Sequence, residues 1–214
     1  MPAPGSGACR QCGRVQPDRV SYDRPGTDGC CRQCHAEPPG YERAWAVAAY
    51  RASARALIHL LKYEGMKPVA GYWAERLAIE VKDEVAAADV VAPVPLSRRR
   101  QRERGFNQSA EIGRRLAHRL GCGYAEHALE RQRDTAVQAG LDAAARERNL
   151  ARAFGPGRDR VAGRRVWLVD DVLTTGATAR AAASALREAG AAGVRLLTAA
   201  RADLEMEPER GWAA

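Results

Sequence analysis

The sequence predicts an α/β protein in which a parallel sheet is flanked by helices, preceded by a small cysteine-rich module. One observation is the uninterrupted apolar run Val166 to Val169, which is typical of a strand buried on both faces of a parallel sheet. A second is the alternation of short apolar runs with stretches of helical periodicity. A third is a pair of C-x2-C motifs near the amino terminus. The 214 residues suffice for one α/β domain and a small module.

The cysteine motifs have the spacing C-x2-C-x18-C-x2-C and comprise Cys9, Cys12, Cys31 and Cys34. Two residues between cysteines let one turn present both thiolates to a tetrahedral ion, so the spacing predicts a structural zinc ribbon or knuckle. The segment between the two pairs is rich in turn residues and poor in apolar ones. A metal would supply the stability that such a segment cannot obtain from a core of its own.

Other uses of these cysteines are open but less favoured. Disulfides, and the c-type haem pattern Cys31-x-x-Cys34-His35, both need export, and no secretory signal is visible in the sequence. A redox C-x-x-C would need a thioredoxin-like context, which is absent. Cys30 could replace Cys31 as a ligand, although the spacing prefers Cys31. Cys122 stands alone and is expected to be a small buried residue.

The segment Glu37-Pro-Pro-Gly40 marks a linker between the module, residues 1–40, and the α/β domain, residues 41–214. Apolar runs in that domain predict strands over Ala44–Tyr50, Asp89–Leu96, Val166–Val169 and Val194–Ala200. Apolar spacing and Gly stops predict helices over Ala52–Tyr63, Val69–Val81, Ser109–Leu120 and Ala177–Ala189. His59 lies within the first of these helices and is expected to be a core histidine.

The polar stretch from Glu130 to Leu150 carries few apolar side chains. We interpret it as a mobile hood or lid over a site, with a plain surface excursion as the other interpretation. Phe154 then leads through a Gly-Pro-Gly turn to the Val166–Val169 strand, and the residues after Ala202 have the composition of a polar tail.

The stretch D-D-x-x-T-T-G-x-T follows the Val166–Val169 strand and precedes a helix. Ligands of open α/β sheets lie beyond the carboxyl ends of the strands. Gly176 permits a tight turn, and hydroxyls with backbone amides at a helix start suit a phosphate monoester. Asp170 and Asp171 suit the vicinal hydroxyls of a ribose. The phosphate site is predicted to comprise Leu173, Thr174, Thr175, Gly176, Ala177 and Thr178.

Two other readings of this stretch are weaker. An acidic turn capping an ordinary helix would account for a lone D-D or T-T-G, but the full order of strand, acids, loop and helix is rarer. The stretch lacks the lysine of a Walker A motif and the glycines of G-x-G-x-x-G. We therefore predict a sugar-phosphate site.

Five arginines occupy the seven positions from Arg98 to Arg104, directly after the second predicted strand. We expect them in a βα loop, where a ligand should lie, so pyrophosphate binding is one use. Contact with nucleic acid is a second use, and a solvated charge run is a third. The net charge of +8 and the pI near 9.5 favour anionic partners in general.

The amino terminus shows no secretory signal, and the longest uncharged apolar run, Ala44 to Tyr50, is far too short to span a bilayer. We therefore expect a cytoplasmic protein without a membrane span.

The acidic pair and the T-T-G-x-T loop resemble the motif of type I phosphoribosyltransferases that binds phosphoribosyl pyrophosphate (PRPP). The segments V-x-P-V-P-L-x-R-R-R, R-G-F-N-Q and R-x-x-N-L, with the two C-x-x-C pairs, resemble ComF-family competence proteins from Cys9 to about Arg201. The resemblance implies a type I phosphoribosyltransferase fold with a hood and an amino-terminal zinc finger. It also implies a link to DNA uptake in natural transformation, with other competence proteins as partners.

The resemblance further implies that Asp170 and Asp171 hold the ribose hydroxyls and that the T-T-G-x-T loop holds the 5-phosphate. Mg²⁺ would accompany PRPP and neutralise the leaving pyrophosphate, which is expected to meet Arg98, Arg99, Arg104 and Lys62. The acceptor nucleophile is not identifiable. The alternative hypothesis is a non-catalytic accessory protein that binds single-stranded DNA, in which PRPP is absent or only regulatory.

Overall fold

The computed structural model describes residues 9–14, 29–87, 89–132 and 153–202, and a parallel sheet of five strands lies at its centre. These strands are β1 (Ala44–Ala49), β2 (Val90–Pro93), β3 (Gly123–Tyr124), β6 (Arg165–Leu173) and β7 (Gly193–Arg201). Their order across the sheet is β1-β7-β6-β2-β3, and every pairing is parallel. Strands β4 (Leu129–Arg131) and β5 (Phe154–Pro156) form a separate antiparallel pair.

The described helices are α1 (Arg32–Ala36), α2 (Ala52–Tyr63), α3 (Pro68–Val81), α4 (Arg98–Arg104), α5 (Gln108–Leu120) and α6 (Ala177–Glu188). Helices α2, α3 and α5 cover one face of the sheet, while α6 and the β4–β5 pair cover the other. None of them, within the described part of the chain, has the length and apolar character needed to cross a membrane.

Strand β6 is buried on both faces, as its apolar run predicts. Val166 and Leu168 pack into the core beneath α6, whereas Trp167 and Val169 pack into the core beneath α2, α3 and α5. Alternate side chains of a strand point to opposite faces, so one strand serves both cores. The central strand of the sheet therefore fixes the position of whatever follows it.

The predicted helices and strands agree with the structure to within a few residues, with two differences. Strand β6 continues through the acidic pair to Leu173, so the two carboxylates lie within the last residues of the strand and not after it. Arg98 to Arg104 form helix α4 and not a loop. Ser97 caps this helix through a hydrogen bond from the Arg100 amide, and Gly105 ends it at a φ of +73°. Capping residues at both ends therefore allow a short helix where a βα loop was expected.

Two single-residue expectations were wrong or incomplete. His59 is exposed and its ring lies 4.6 Å from that of Tyr63, so it is not a core histidine. Its position falls on the outer face of α2, whose inner face carries Ile58 and Leu61. Cys122 is only partly buried, although it packs against the core beneath α5. Of the predicted hood, residues 130–132 belong to the described part and residues 133–150 lie outside it.

Candidate functional site

Asp171 is buried at the carboxyl end of β6 and is held by two donors from other elements. The Lys62 ammonium at the end of α2 lies 2.9 Å from Asp171 Oδ1. The side-chain amide of Gln108, the first residue of α5, donates to Asp171 Oδ2 at 2.5 Å. Three elements that are distant in sequence thus meet at one carboxylate. A cation and an amide donor together fix the position of this carboxylate.

Asp170 is partly exposed and has a different environment. Its Oδ1 accepts hydrogen bonds from the Ser109 hydroxyl at 3.2 Å and from the Asp171 amide at 2.9 Å. Burial and the adjacent charge of Asp171 raise the pKa of Asp170 from 3.8 to about 7, against the lowering effects of these donors and of Lys62. Asp170 is therefore a carboxyl group that exchanges a proton near neutral pH, beside a fixed carboxylate.

The loop from Thr174 to Gly176 joins β6 to α6 and has the predicted geometry. Gly176 is the residue before the first turn of α6 and has a φ of +79°. The Ala177 amide donates to Thr175 Oγ1 at 3.4 Å, and the Arg180 side chain donates to the Thr175 carbonyl at 3.2 Å. Thr174 and Thr175 are exposed. The loop therefore presents hydroxyls and a helix start to solvent, which suits an anion.

Helix α4 follows β2, which pairs with β6, so its arginines begin at the edge of the sheet that carries the acid pair. Arg99 and Arg104 make different contacts. Arg99 pairs with Glu103 at 2.6 Å on the outer side of α4. The Arg104 guanidinium lies 5.3 Å from the ring centroid of Tyr63, the neighbour of Lys62. Among the described residues, Nη1 of Arg104 is buried without a hydrogen-bond partner. Of these arginines, Arg104 is thus linked to the helix that supplies Lys62.

Lys62 was predicted to meet pyrophosphate, and the structure places its ammonium on Asp171. Its role toward pyrophosphate stays a prediction. The partners that sequence reasoning missed are Gln108 and Ser109, which hold one acid each. Both fall where R-G-F-N-Q runs into the α5 pattern. Asn107 alone caps α5, so Gln108 and Ser109 are not needed as caps. Two further polar residues at the start of the helix were therefore the available signal of another role.

The four cysteines Cys9, Cys12, Cys31 and Cys34 are all buried, and their Sγ atoms lie within 4.8 Å of one another. Cys31 and not Cys30 belongs to this cluster. Cys9 Sγ accepts from the amides of Cys12 at 3.4 Å and Cys31 at 3.2 Å. Hydrogen bonds from Cys12 and Cys34 lower the pKa of Cys9. Four converging sulfurs, one of them favoured as a thiolate, are a donor set that could hold a metal such as zinc.

The cysteine cluster is docked beside the loop that follows β6. Arg201, at the end of β7, donates to the Cys12 carbonyl. Arg201 is also the strand partner of Leu173, the residue that precedes the loop. A cleft between the two parts is lined by Cys12, Arg14, Gln33, Cys34, Glu37, Pro39, Tyr41, Leu173, Thr174, Thr175, Gly176, Arg180 and Arg201. No sequence signal predicted this contact.

The chain is similar to several known proteins. The sequence family described as Phosphoribosyl transferase domain matches residues 107–213. The "DNA utilization protein YhgH" of Salmonella typhimurium is 35% identical over 201 residues, which cover 89% of this chain and 88% of that protein. "Competence protein F" of Haemophilus influenzae is 29% identical over 179 residues, which cover 80% and 78%.

Among solved structures, the glutamine PRPP amidotransferase from B. subtilis complexed with ADP and GMP is 28% identical, with a TM-score of 0.42. The likeness covers 61% of this chain and 26% of that chain.

A parallel sheet flanked by helices, with an acidic pair and a T-T-G loop at its carboxyl edge, places the chain in the class of type I phosphoribosyltransferase folds. Within this class, one family is indicated by the amino-terminal cysteine cluster and by the relatives that match nearly nine-tenths of the sequence. The chain belongs to the ComF family, which includes the YhgH and competence F proteins.

Proposed function

We propose that this chain binds PRPP at the carboxyl end of β6 and acts as a phosphoribosyltransferase. The observation that carries the proposal is the placement of two differently held carboxylates directly before the loop from Thr174 to Gly176. The amides and hydroxyls of that loop bind the 5-phosphate. Asp170 and Asp171 bind the ribose hydroxyls. The family match over residues 107–213 supports the same ligand.

The residues of this chain fit a divalent cation at the ligand. Hard oxygen donors suit Mg²⁺, and Asp170 is a partly exposed carboxyl group whose acceptor capacity is not exhausted by two donors. Bound with PRPP, Mg²⁺ would neutralise charge on the pyrophosphate leaving group. Asp170 and Asp171 place negative charge below the sugar ring, where positive charge develops as pyrophosphate departs. Arg98, Arg99 and Arg104 receive the pyrophosphate, and the buried Nη1 of Arg104 is a donor suited to it.

Isothermal titration of PRPP with Mg²⁺ into the full chain tests this proposal. We expect binding by the unmodified protein and its loss in the double variant Asp170→Ala/Asp171→Ala. Asp83→Asn is the matched control, because Asp83 is an exposed carboxylate in the turn after α3. The proposal is contradicted if the double variant still binds PRPP or if the unmodified protein does not bind it.

Once PRPP binding is established, screening bases and small amines for pyrophosphate release from PRPP identifies the acceptor.

We also propose that Cys9, Cys12, Cys31 and Cys34 hold one structural zinc and that the module, residues 1–40, folds around it. The buried sulfur cluster supports this assignment. Elemental analysis of purified protein should give about one zinc per chain. A folded preparation without metal would contradict it.

A second candidate function is binding of single-stranded DNA, and the name "DNA utilization protein" of a relative is compatible with it. The supporting observation is α4, where Arg99, Arg100 and Arg102 are exposed, together with Tyr63, which is 65% exposed and lies against Arg104. A basic track with an aromatic platform suits unpaired bases. Salt-dependent binding that is lost when Arg100 and Arg102, which are not assigned to pyrophosphate, become glutamine supports this function. Retention of PRPP binding in the same variant would separate the two activities.

A further inference from the structure

Gln108 is 3% exposed and has one polar atom whose hydrogen bonding is incomplete. Its side-chain nitrogen donates to Asp171 Oδ2, and within the described ranges its Oε1 is buried with no hydrogen-bond partner. The orientation of the amide is fixed by chemistry, because a carboxylate offers only acceptors and the NH₂ group must face it. A buried carbonyl oxygen without a donor is destabilising and therefore uncommon in native structures.

The unpaired oxygen lies beside the acid pair. Oε1 and Nε2 share one planar amide group, and Nε2 contacts Asp171, so Oε1 lies within a few ångströms of the Asp171 carboxylate. The neighbouring donors are already directed elsewhere: Lys62 toward Asp171 and the Ser109 hydroxyl toward Asp170. A ligand that brings its own hydroxyl can therefore donate to Oε1 without displacing an internal hydrogen bond.

We propose that one of the two ribose hydroxyls shares its proton between the Asp171 carboxylate and Oε1 of Gln108, which makes the site selective for ribose over deoxyribose. This inference rests on the proposed function, since it concerns the sugar bound at Asp170 and Asp171. A ribose has a donor for the buried acceptor, whereas a deoxyribose that lacks that hydroxyl leaves the acceptor unpaired. Sites built to bind a hydroxyl reject analogues without it more strongly than apolar pockets reject small changes.

Competition binding tests the proposal with three probes: ribose 5-phosphate, 2-deoxyribose 5-phosphate and 3-deoxyribose 5-phosphate. Each displaces PRPP from the full chain, and the measured quantity is the ratio of the ribose affinity to each deoxyribose affinity. In Gln108→Leu, which removes both polar atoms, we expect one of the two ratios to fall by about tenfold, as loss of one hydrogen bond predicts. Gln108→Glu is the matched control because it keeps an acceptor at the same place.

In Gln108→Glu both affinities can fall, since a second acid beside Asp171 is repelled, but the ratio should persist. Thermal unfolding checks that each variant is folded, and Gln108→Met replaces Gln108→Leu if the latter is not. An unchanged ratio in a folded Gln108→Leu or Gln108→Met variant overturns the proposal and leaves Gln108 as a support for Asp171. A ratio that changes only when Mg²⁺ is present also overturns it, because the donor is then a water on the cation.

Failure of the proposed function has a different signature. The unmodified protein would then bind neither PRPP nor ribose 5-phosphate, and no variant would be needed to show it.

Discussion

Asp170 and Asp171 are adjacent in sequence, yet their surroundings assign them different properties. Asp171 is buried against Lys62 and Gln108, which fixes its position. Asp170 faces partly outward and has a raised pKa, because burial and the charge of Asp171 oppose its ionisation. The pair therefore combines a fixed carboxylate with one whose charge changes near neutral pH.

The raised pKa of Asp170 predicts how stability depends on pH. The folded chain holds this proton more tightly than the unfolded chain, where the pKa is 3.8, so the stabilisation is complete below about pH 4 and is lost as the pH rises through about 7. Asp170→Asn removes the charge and keeps an acceptor. We expect its stability relative to the unmodified protein to increase by about 1–3 kcal/mol between pH 4 and pH 8.

Urea unfolding of both proteins across this pH range measures that difference. Asp83→Asn, at an exposed turn, should show no such trend. A stability difference that stays constant from pH 4 to pH 8 would contradict the assignment of the proton to Asp170.

The ion pair between Lys62 and Asp171 predicts a coupled loss of stability. Removing the cation leaves a buried carboxylate with one donor fewer, so Lys62→Met should destabilise the protein by about 1–3 kcal/mol. The same change should cost much less in an Asp171→Asn background, since no charge is then left unpaired. A double-mutant cycle measured by urea unfolding gives the coupling. Lys82→Met, at the exposed end of α3, is the control, and additive effects would contradict the prediction.

At the scale of the elements, the proposed anion site lies where β6 meets α6. Strand β6 is anchored in both cores, and α6 is rich in alanine on its buried face, so the helix lies close to the sheet. Gly176 makes the junction possible, since its φ of +79° is unfavourable for other residues. The loop is thus short and its amides are pre-oriented.

Gly176→Ala tests this junction. A Cβ at this position would meet its nearest atoms at 3.6 Å, so the cost is conformational and amounts to about 1 kcal/mol. Gly163→Ala is the matched control, because Gly163 has a φ of +75° and open space around it. Both variants should lose similar stability in thermal unfolding, and only Gly176→Ala should also weaken PRPP binding. Equal PRPP binding by the two variants would contradict the role of the loop.

Helix α4 shows where reasoning from sequence fails at this scale. Five arginines directly after a strand predicted a βα loop, because ligands lie beyond the carboxyl ends of the strands. Ser97 and Gly105 instead satisfy the two ends of a short helix there. The charge pattern was informative about location and uninformative about conformation.

For the molecule as a whole, local patterns predicted most of the fold, whereas they missed the contacts that hold the acid pair. The buried run of β6, the periodicity of α2, α3 and α5 and the glycine of the loop are local signals, and each was confirmed. The ion pair of Lys62 and the hydrogen bond of Gln108 with Asp171 join residues that are far apart in sequence. Such contacts follow from sheet order, which no local pattern records. The contact between the cysteine cluster and the loop was missed for the same reason.

That contact predicts an effect of metal on the sugar-phosphate site. The cysteine module forms one wall of the cleft beside Thr174, Thr175 and Gly176, and Arg201 joins it to the strand end. A module that folds around its metal unfolds when a strong chelator removes that metal, and this wall of the cleft is then lost. We expect PRPP binding to weaken by about tenfold or more as a result. Calorimetry before and after chelation measures the change, with restoration by zinc as the control. Unchanged affinity in a metal-free preparation would contradict the coupling.

Strand order has one more consequence, which concerns synthesis on the ribosome. Strand β1 is an edge of the sheet and pairs only with β7, the last strand in the described chain, while the Cys12 carbonyl is held by Arg201 at the end of that strand. Strand β1 and the segment around Cys12 are therefore translated well before the strand that provides their native neighbours. Until β7 has been translated, β1 remains unpaired and exposes an apolar strand edge to aggregation.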